Sequence, residues 1–217
     1  MVTKKVSIVL RPIMEPKERI LVKTHELFNR YGIRSVSMDD IATQLGMSKK
    51  TLYQYYADKD ELVNAVFDVI LTTKREECTE CTNKGENAIH EIFLSFDMME
   101  ELLKTMNPSV LFDMQKYHPS AFKKFEEFRD GFLYKAIKTN LERGIEEELY
   151  REDIDTDILS RYRLHSVLLS MNPDFFPTNK NNLAYIEQQI LEVFLFGIAT
   201  SKGQKLIQKY KNQRTKK

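Results

Sequence analysis

The sequence predicts an all-α protein: an N-terminal three-helix bundle carrying a helix-turn-helix, followed by a larger C-terminal helical bundle, about nine helices in all. Three observations predict it. Apolar residues recur at three- and four-residue steps along nearly the whole chain, with no period-two pattern and no internal repeat. Only seven glycines and six prolines interrupt 217 residues. Between Ser37 and Leu62, two capping signals and one glycine turn fall within a single short stretch.

Residues 1–15 read as a flexible arm, with Pro12 and Pro16 bracketing the approach to the first helix. From Pro16 the stripe Ile20, Thr24, Leu27, Phe28 and Tyr31 marks that helix, and Gly32 is a candidate left-handed C-cap. The second helix opens at Ser37, with Asp40 placed to complete its cap, and ends at Gly46. The third runs from Ser48 to about Tyr56. A fourth opens at Asp58, with Glu61 three residues on and the stripe Leu62, Val63, Val66, Phe67 and Ile70. Further helices are predicted at about 86–106, 109–117, 120–146, 155–171 and 182–200, with Pro108, Pro119 and the 172–177 stretch as interruptions. Gly144 reads as a frayed end and Glu146 to Glu148 as a solvated one. The division is a helix-turn-helix domain at 16–62 (helix-turn-helix 38–57), a body at 63–201 and a basic tail at 202–217.

The net charge of +1 conceals an asymmetry. Residues 1–14 carry Lys4, Lys5 and Arg11 and no acid, and residues 202–217 carry seven bases and no acid. Residues 15–60 hold eight bases and seven acids, which leaves 15 bases and 25 acids in residues 61–201. An acidic body repels nucleic acid, so any DNA contact belongs to the N-terminal part and the ends. The tails read most simply as solvated. No apolar run reaches the roughly 18 residues of a membrane span, and Val6 to Leu10 is too short for a secretory core, so a cytoplasmic protein is expected. Cys78 and Cys81 form a lone C-x-x-C without the second pair of a structural zinc site and read as incidental thiols. No metal site, cofactor motif or catalytic signature is present, so no enzyme is expected.

The motif at 37–62 carries the function. Ile41, Leu45, Met47 and Leu52 lock two short helices together, Ala42 lets them cross closely, and Gly46 permits the turn. The second of these helices then presents Lys49, Lys50, Thr51, Tyr53, Gln54 and Tyr55, nearly all hydrogen-bond donors, behind Ser48 as its cap. A major groove is read by such a helix. At these residues the chain resembles the tetracycline-repressor (TetR) family of bacterial transcription regulators. The resemblance lies in Phe28, Tyr31 and Gly32, in the run Ile41 to Ser48, and in Thr51 to Leu62, about a quarter of the chain. It implies base contacts from Lys49, Lys50, Thr51 and Tyr53 and phosphate contacts from Ser37, Tyr55 and Lys59. Tyr55 and Tyr56 stand where many members have His and Phe, and both keep an aromatic ring.

The resemblance also implies that the body binds a small-molecule effector and pairs with its own copy. Candidate pocket residues are Phe93, Phe96, Met99, Met106, Phe112, Met114, Phe125, Phe128, Phe132, Tyr162 and His165, for each of which core packing is the plainer role. Candidate interface residues are Leu164, Val167, Leu168, Met171, Ile190, Val193, Phe194, Gly197 and Ile198. The expectation is a homodimeric repressor that leaves its double-stranded operator when an apolar or amphipathic ligand binds. Two alternatives stand beside it: a DNA-binding regulator controlled by a protein partner, and a helical enzyme or carrier with a relic reading head.

Overall fold

A computed structural model describes residues 15–107, 109–172, 175–176 and 183–214. The predicted arm, residues 1–14 of it, lies outside them, as do Pro108 and most of the 173–182 stretch. The described residues form ten helices and one isolated β-bridge, Tyr150 with Ala199. The reading head is α1 (Pro16–Tyr31), α2 (Met38–Leu45) and α3 (Lys49–Tyr55). Helix α4 (Lys59–Lys84) leads out of it. The body adds α5 (Ala88–Thr105), α6 (Ser109–Tyr117), α7, α8 (Thr156–Ser170), α9 (Leu183–Ile198) and α10 (Ser201–Arg214). Helix α7 is one continuous rod of three parts: Pro119–Glu127, a π-helical stretch Phe128–Leu133, and Tyr134–Glu146.

The local signals hold where capping chemistry set them. Ser37 Oγ accepts from the Asp40 N–H at 3.1 Å while Asp40 accepts from the Ser37 N–H at 2.8 Å, a complete capping box. Gly46 is left-handed at φ 66°. Asp58 caps α4 through the Glu61 N–H at 2.8 Å, and Glu61 reaches back to the Ala57 N–H at 2.6 Å. Gly32 has φ 81°, yet it ends α1 in an extended rather than helical left-handed turn. A Cβ there would lie 2.5 Å from Ser109 Oγ, so the glycine also admits the body.

One apolar core joins the head to part of the body. Ile20, Phe28, Ile41, Leu52, Leu62 and Val66 pack together, and Val110 and Met114 of α6 and Ala121 of α7 complete the same cluster. The division expected at residues 62 and 63 falls inside α4. A second core gathers α5, α7, α9 and α10 around Phe96, Leu141, Tyr150, Leu195 and Ile207.

Three expectations fail at the C-terminal side. Residues 202–214 are not a solvated tail but α10, with Gly203, Ile207 and Tyr210 buried. Its bases find the body's surplus acids: Arg214 meets Asp97 at 2.6 Å and Glu100 at 2.7 Å, and Lys211 meets Glu192 at 2.6 Å. This is the tenth helix, which raises the expected nine. Glu147 is no solvated helix end either; it holds Arg143 at 2.7 Å and caps α5 through the Ala88 N–H at 2.7 Å. Gly144 is buried under the Tyr150 ring rather than frayed.

A Cβ at Gly144 would stand 2.0 Å from Tyr150 Cδ2, so Gly144→Ala forces the ring off its seat. Thermal melting of this variant is expected to show a loss of about 1–3 kcal/mol, several degrees in Tm; an unchanged Tm contradicts the packing.

Candidate functional site

Helix α3 is short, and its backbone ends are satisfied locally. Ser48 Oγ accepts from the Thr51 N–H at 3.0 Å and lies 2.8 Å from Thr51 Oγ1, so both hydroxyls serve the cap. Lys49, Lys50, Tyr53 and Gln54 are exposed together on the outer face. Tyr55 is half-buried against the head core. The Ser37 hydroxyl is held in its capping box. Lys59 turns inward: its Nζ donates to the Ile33 carbonyl at 2.7 Å, and burial pulls its pKa below the usual lysine range. The exposed reading surface is therefore narrower than the nine residues expected from sequence. It also contains one acid that the sequence reading missed. Asp39 of α2 holds Lys49 Nζ at 2.8 Å and raises its pKa, and Lys49 lies 5.9 Å from the Tyr53 ring centre.

The head is bonded to the body along two seams. On α4, Asp60, Asn64 and Asp68 recur every fourth residue and meet the first turns of α7. Asp60 contacts the buried His118, Asn64 accepts from Ser120 at 3.0 Å, and Asp68 holds Lys124 at 2.7 Å. On the other side, Asp113 of α6 accepts from the Arg34 N–H at 2.9 Å.

Between these seams lies a cavity of about 310 Å³, within the size range of small-molecule sites. Its walls come from α4, α5, α6, α7, α8 and α9, and its floor is the head's own α1, through His25, Phe28 and Asn29. The π-helical stretch of α7 sets Phe128, Arg129 and Leu133 on the wall, as such stretches often do at functional sites. Arg163 also lines it, held by buried Glu187 at 2.5 Å and by Ser166 at 3.2 Å.

Residues 20–66 match the family described as bacterial regulatory proteins, tetR family. The HTH-type transcriptional regulator YvaF of Bacillus subtilis is 27% identical over 83% of this chain and 94% of its own length. The chain carries a TetR-family DNA-binding head. It is a DNA-binding transcriptional regulator. The HTH-type transcriptional repressor KstR2 of Mycobacterium tuberculosis is 25% identical over 79% of this chain and 87% of its own. The solved structure of KstR2 superposes with a TM-score of 0.64 at 21% identity, covering 87% of this chain and 97% of that one. Thermus thermophilus FadR in complex with lauroyl-CoA superposes at 0.56 and 21% identity, covering 85% and 95%. Both superpositions establish the shared fold.

Within this TetR-family fold, the expected pocket and interface residues sort differently from the sequence reading. Phe96, Met99, Met106, Met114, Phe125 and Phe128 line the cavity. Phe93 does not; it packs in the second core, 5.6 Å from the Tyr210 ring. Phe132 stacks on Phe128 at 5.4 Å, beneath Arg75, away from the wall. Phe112 and Tyr162 are 58% and 55% exposed, and His165 is exposed. Leu164, Val167, Leu168 and Met171, expected at an interface, line the cavity. Phe194 and Ile198 are buried within the protomer, and Ile190 is half-buried. Val193 and Gly197 do face outward, beside exposed Phe196. The reason is that α8 is apolar on two faces. Its outer stripe is Ile158, Tyr162, His165 and Leu169, while the other face closes the cavity. Sequence periodicity gave one stripe where there are two.

Cys78 lies on the cavity wall and Cys81 beside it, both free thiols. Burial pushes Cys78 up to about 11, so it stands as a neutral thiol rather than a metal-ready thiolate. Among the described residues no cluster could hold a metal ion, and no helix is long and apolar enough to cross a membrane.

The Arg163–Glu187 pair is buried, so Glu187→Ala strands a cation and is expected to cost about 3–5 kcal/mol by denaturant unfolding, whereas the double variant Arg163→Met with Glu187→Leu is expected to recover most of it. Equal losses in both contradict the pairing. His25 is held below the ordinary histidine pKa by burial, and then by Lys74. Below about pH 6.5 the unfolded chain therefore binds more protons than the folded one, and stability falls with pH until the depressed folded value is passed. His25→Phe is expected to flatten that part of the stability–pH curve; an unchanged slope contradicts it.

Proposed function

We propose that this regulator is a homodimeric repressor that leaves its operator when a small apolar or amphipathic ligand fills the cavity. The observation that carries the reading is the cavity floor: it is α1, which belongs to the core that supports α3. A ligand touching Phe28 touches the support of the reading helix. Differential affinity for two head positions is all that release requires. The repressor name of KstR2 and the lauroyl-CoA in FadR support the class of mechanism.

Electrostatics and surface together support dimerisation. The head is nearly neutral, and Asp39 and Lys49 neutralise each other, so one copy binds DNA weakly. The outward stripes of α8 and α9, with Val193 73% exposed, provide a face for a second copy across a two-fold axis. The two α3 helices then sit about 34–36 Å apart to enter successive major grooves of a double-stranded operator. Such a protein works beside the chromosome, in the bacterial cytoplasm. Lys49, Lys50, Tyr53 and Gln54 supply base and phosphate contacts, with Ser37, Ser48, Thr51, Tyr55 and Lys59 holding the head in shape.

Gel shift on the DNA upstream of the chain's own gene tests the reading. Wild type is expected to bind specifically at moderate salt, and Lys49→Ala with Tyr53→Ala to lose at least about tenfold with the dimer intact. Undiminished specific binding by the double variant, or none by wild type, contradicts it.

A further inference from the structure

The chemistry of the cavity wall narrows the ligand further, an inference that rests on reading this cavity as the effector site. Four ionised side chains line it: Lys74, Glu91, Arg129 and Arg163. Each already has its countercharge from the protein. Lys74 holds Glu77 at 2.6 Å, Arg143 reaches Glu91 at 3.2 Å, and Arg129 grips Asp130 through two bonds of 2.6 and 2.7 Å. Arg163 is matched by Glu187, which is fully buried and whose Oε2 has no partner. An incoming carboxylate at Arg163 would meet a second carboxylate. An incoming ammonium at Glu91 would meet Arg143. An ion in this apolar cavity would forgo water and find no unmatched charge.

Neutral hydrogen-bonding groups are differently placed. On the floor, the Asn29 amide lies 2.9 Å from His25 Nε2 and, as oriented, donates to it. With the amide in that orientation, the neutral ring carries its proton on Nδ1. The Nδ1–H and the Asn29 Oδ1 have no hydrogen-bond partner among the described residues. His25 and Asn29 both line the cavity, so they offer it a neutral donor and acceptor side by side on α1.

We infer that the ligand is an uncharged, elongated amphiphile, a long-chain alcohol or carbonyl compound rather than its carboxylate, whose polar group engages His25 and Asn29 on the first helix of the reading head. The apolar body then lies along Phe96, Met99, Phe125 and Leu164. Discrimination and signalling come from the same contact, because the polar end touches the head directly.

The test uses the full chain and a matched series: decanol, dodecanol and tetradecanol, their carboxylates and their ammonium ions. Binding is read by melting shift and calorimetry, and DNA release by gel shift. At least one alcohol is expected to bind about tenfold or more tighter than its carboxylate and ammonium counterparts and to release DNA. His25→Phe and Asn29→Leu keep side-chain volume and remove the polar atoms, and each is expected to weaken the alcohol about tenfold. Carboxylates binding as tightly as alcohols overturn the ligand class and leave the cavity as an effector site. Alcohol affinity unchanged in both variants overturns the anchor. If no compound in the series binds, the inference and the effector reading fall together.

Discussion

Everything in this protein depends on one packing constraint: the three-helix head does not close its own core. Val110, Met114 and Ala121, from α6 and α7, fill the side of the cluster that α1, α2, α3 and the start of α4 leave open. A head of this size buries too little surface to be comfortable alone. Borrowing residues from the body solves that problem and creates another property. The head cannot shift without disturbing α6 and α7, and these cannot shift without disturbing the head. The polar seam of Asp60, Asn64 and Asp68 on α4 adds direction to the apolar contact. Packed cores have discrete arrangements rather than continuous ones, which is what a switch requires.

The cavity sits where that shared core stops. Phe28 belongs to the core and to the cavity floor at once. The wall is mostly apolar because α4, α5, α6, α7 and α8 each turn apolar residues inward, and its ions are silenced in pairs. The net charge follows the same logic of internal matching. The acidic surplus of the body is met in part by α10, whose Arg214 also lies 4.5 Å over the Phe96 ring. Of the bases that read in the sequence as a solvated end, Lys202, Lys211 and Arg214 are committed to the body.

Much of the head was legible from sequence because its signals are local. The Ser37–Asp40 box, the Gly46 turn and the Ser48 cap are each fixed within four residues, and local chemistry decides them. The cavity was half legible. Phe96, Met99, Met114 and Phe128 announce themselves as large apolar residues at helical spacing, but spacing does not say which of two faces a residue takes, so the cavity-lining Leu164 and Leu168 were not read as pocket. His25 and Asn29 gave no signal. They lie on a helix that reads as pure scaffold, and their role appears only when the body closes over them. The tail failed for a related reason: seven bases without an acid look solvated until the partners, distant in sequence, are in view.

In the proposed switch, filling the cavity and reading the groove are linked states of one core. Linkage is reciprocal, so the most direct measurement is the affinity of a cavity ligand such as dodecanol with and without saturating operator duplex, at fixed salt. Weaker ligand binding on the operator complex is expected, by the same factor by which the ligand weakens operator binding, roughly 5–150-fold. Equal ligand affinity in the two states would contradict it.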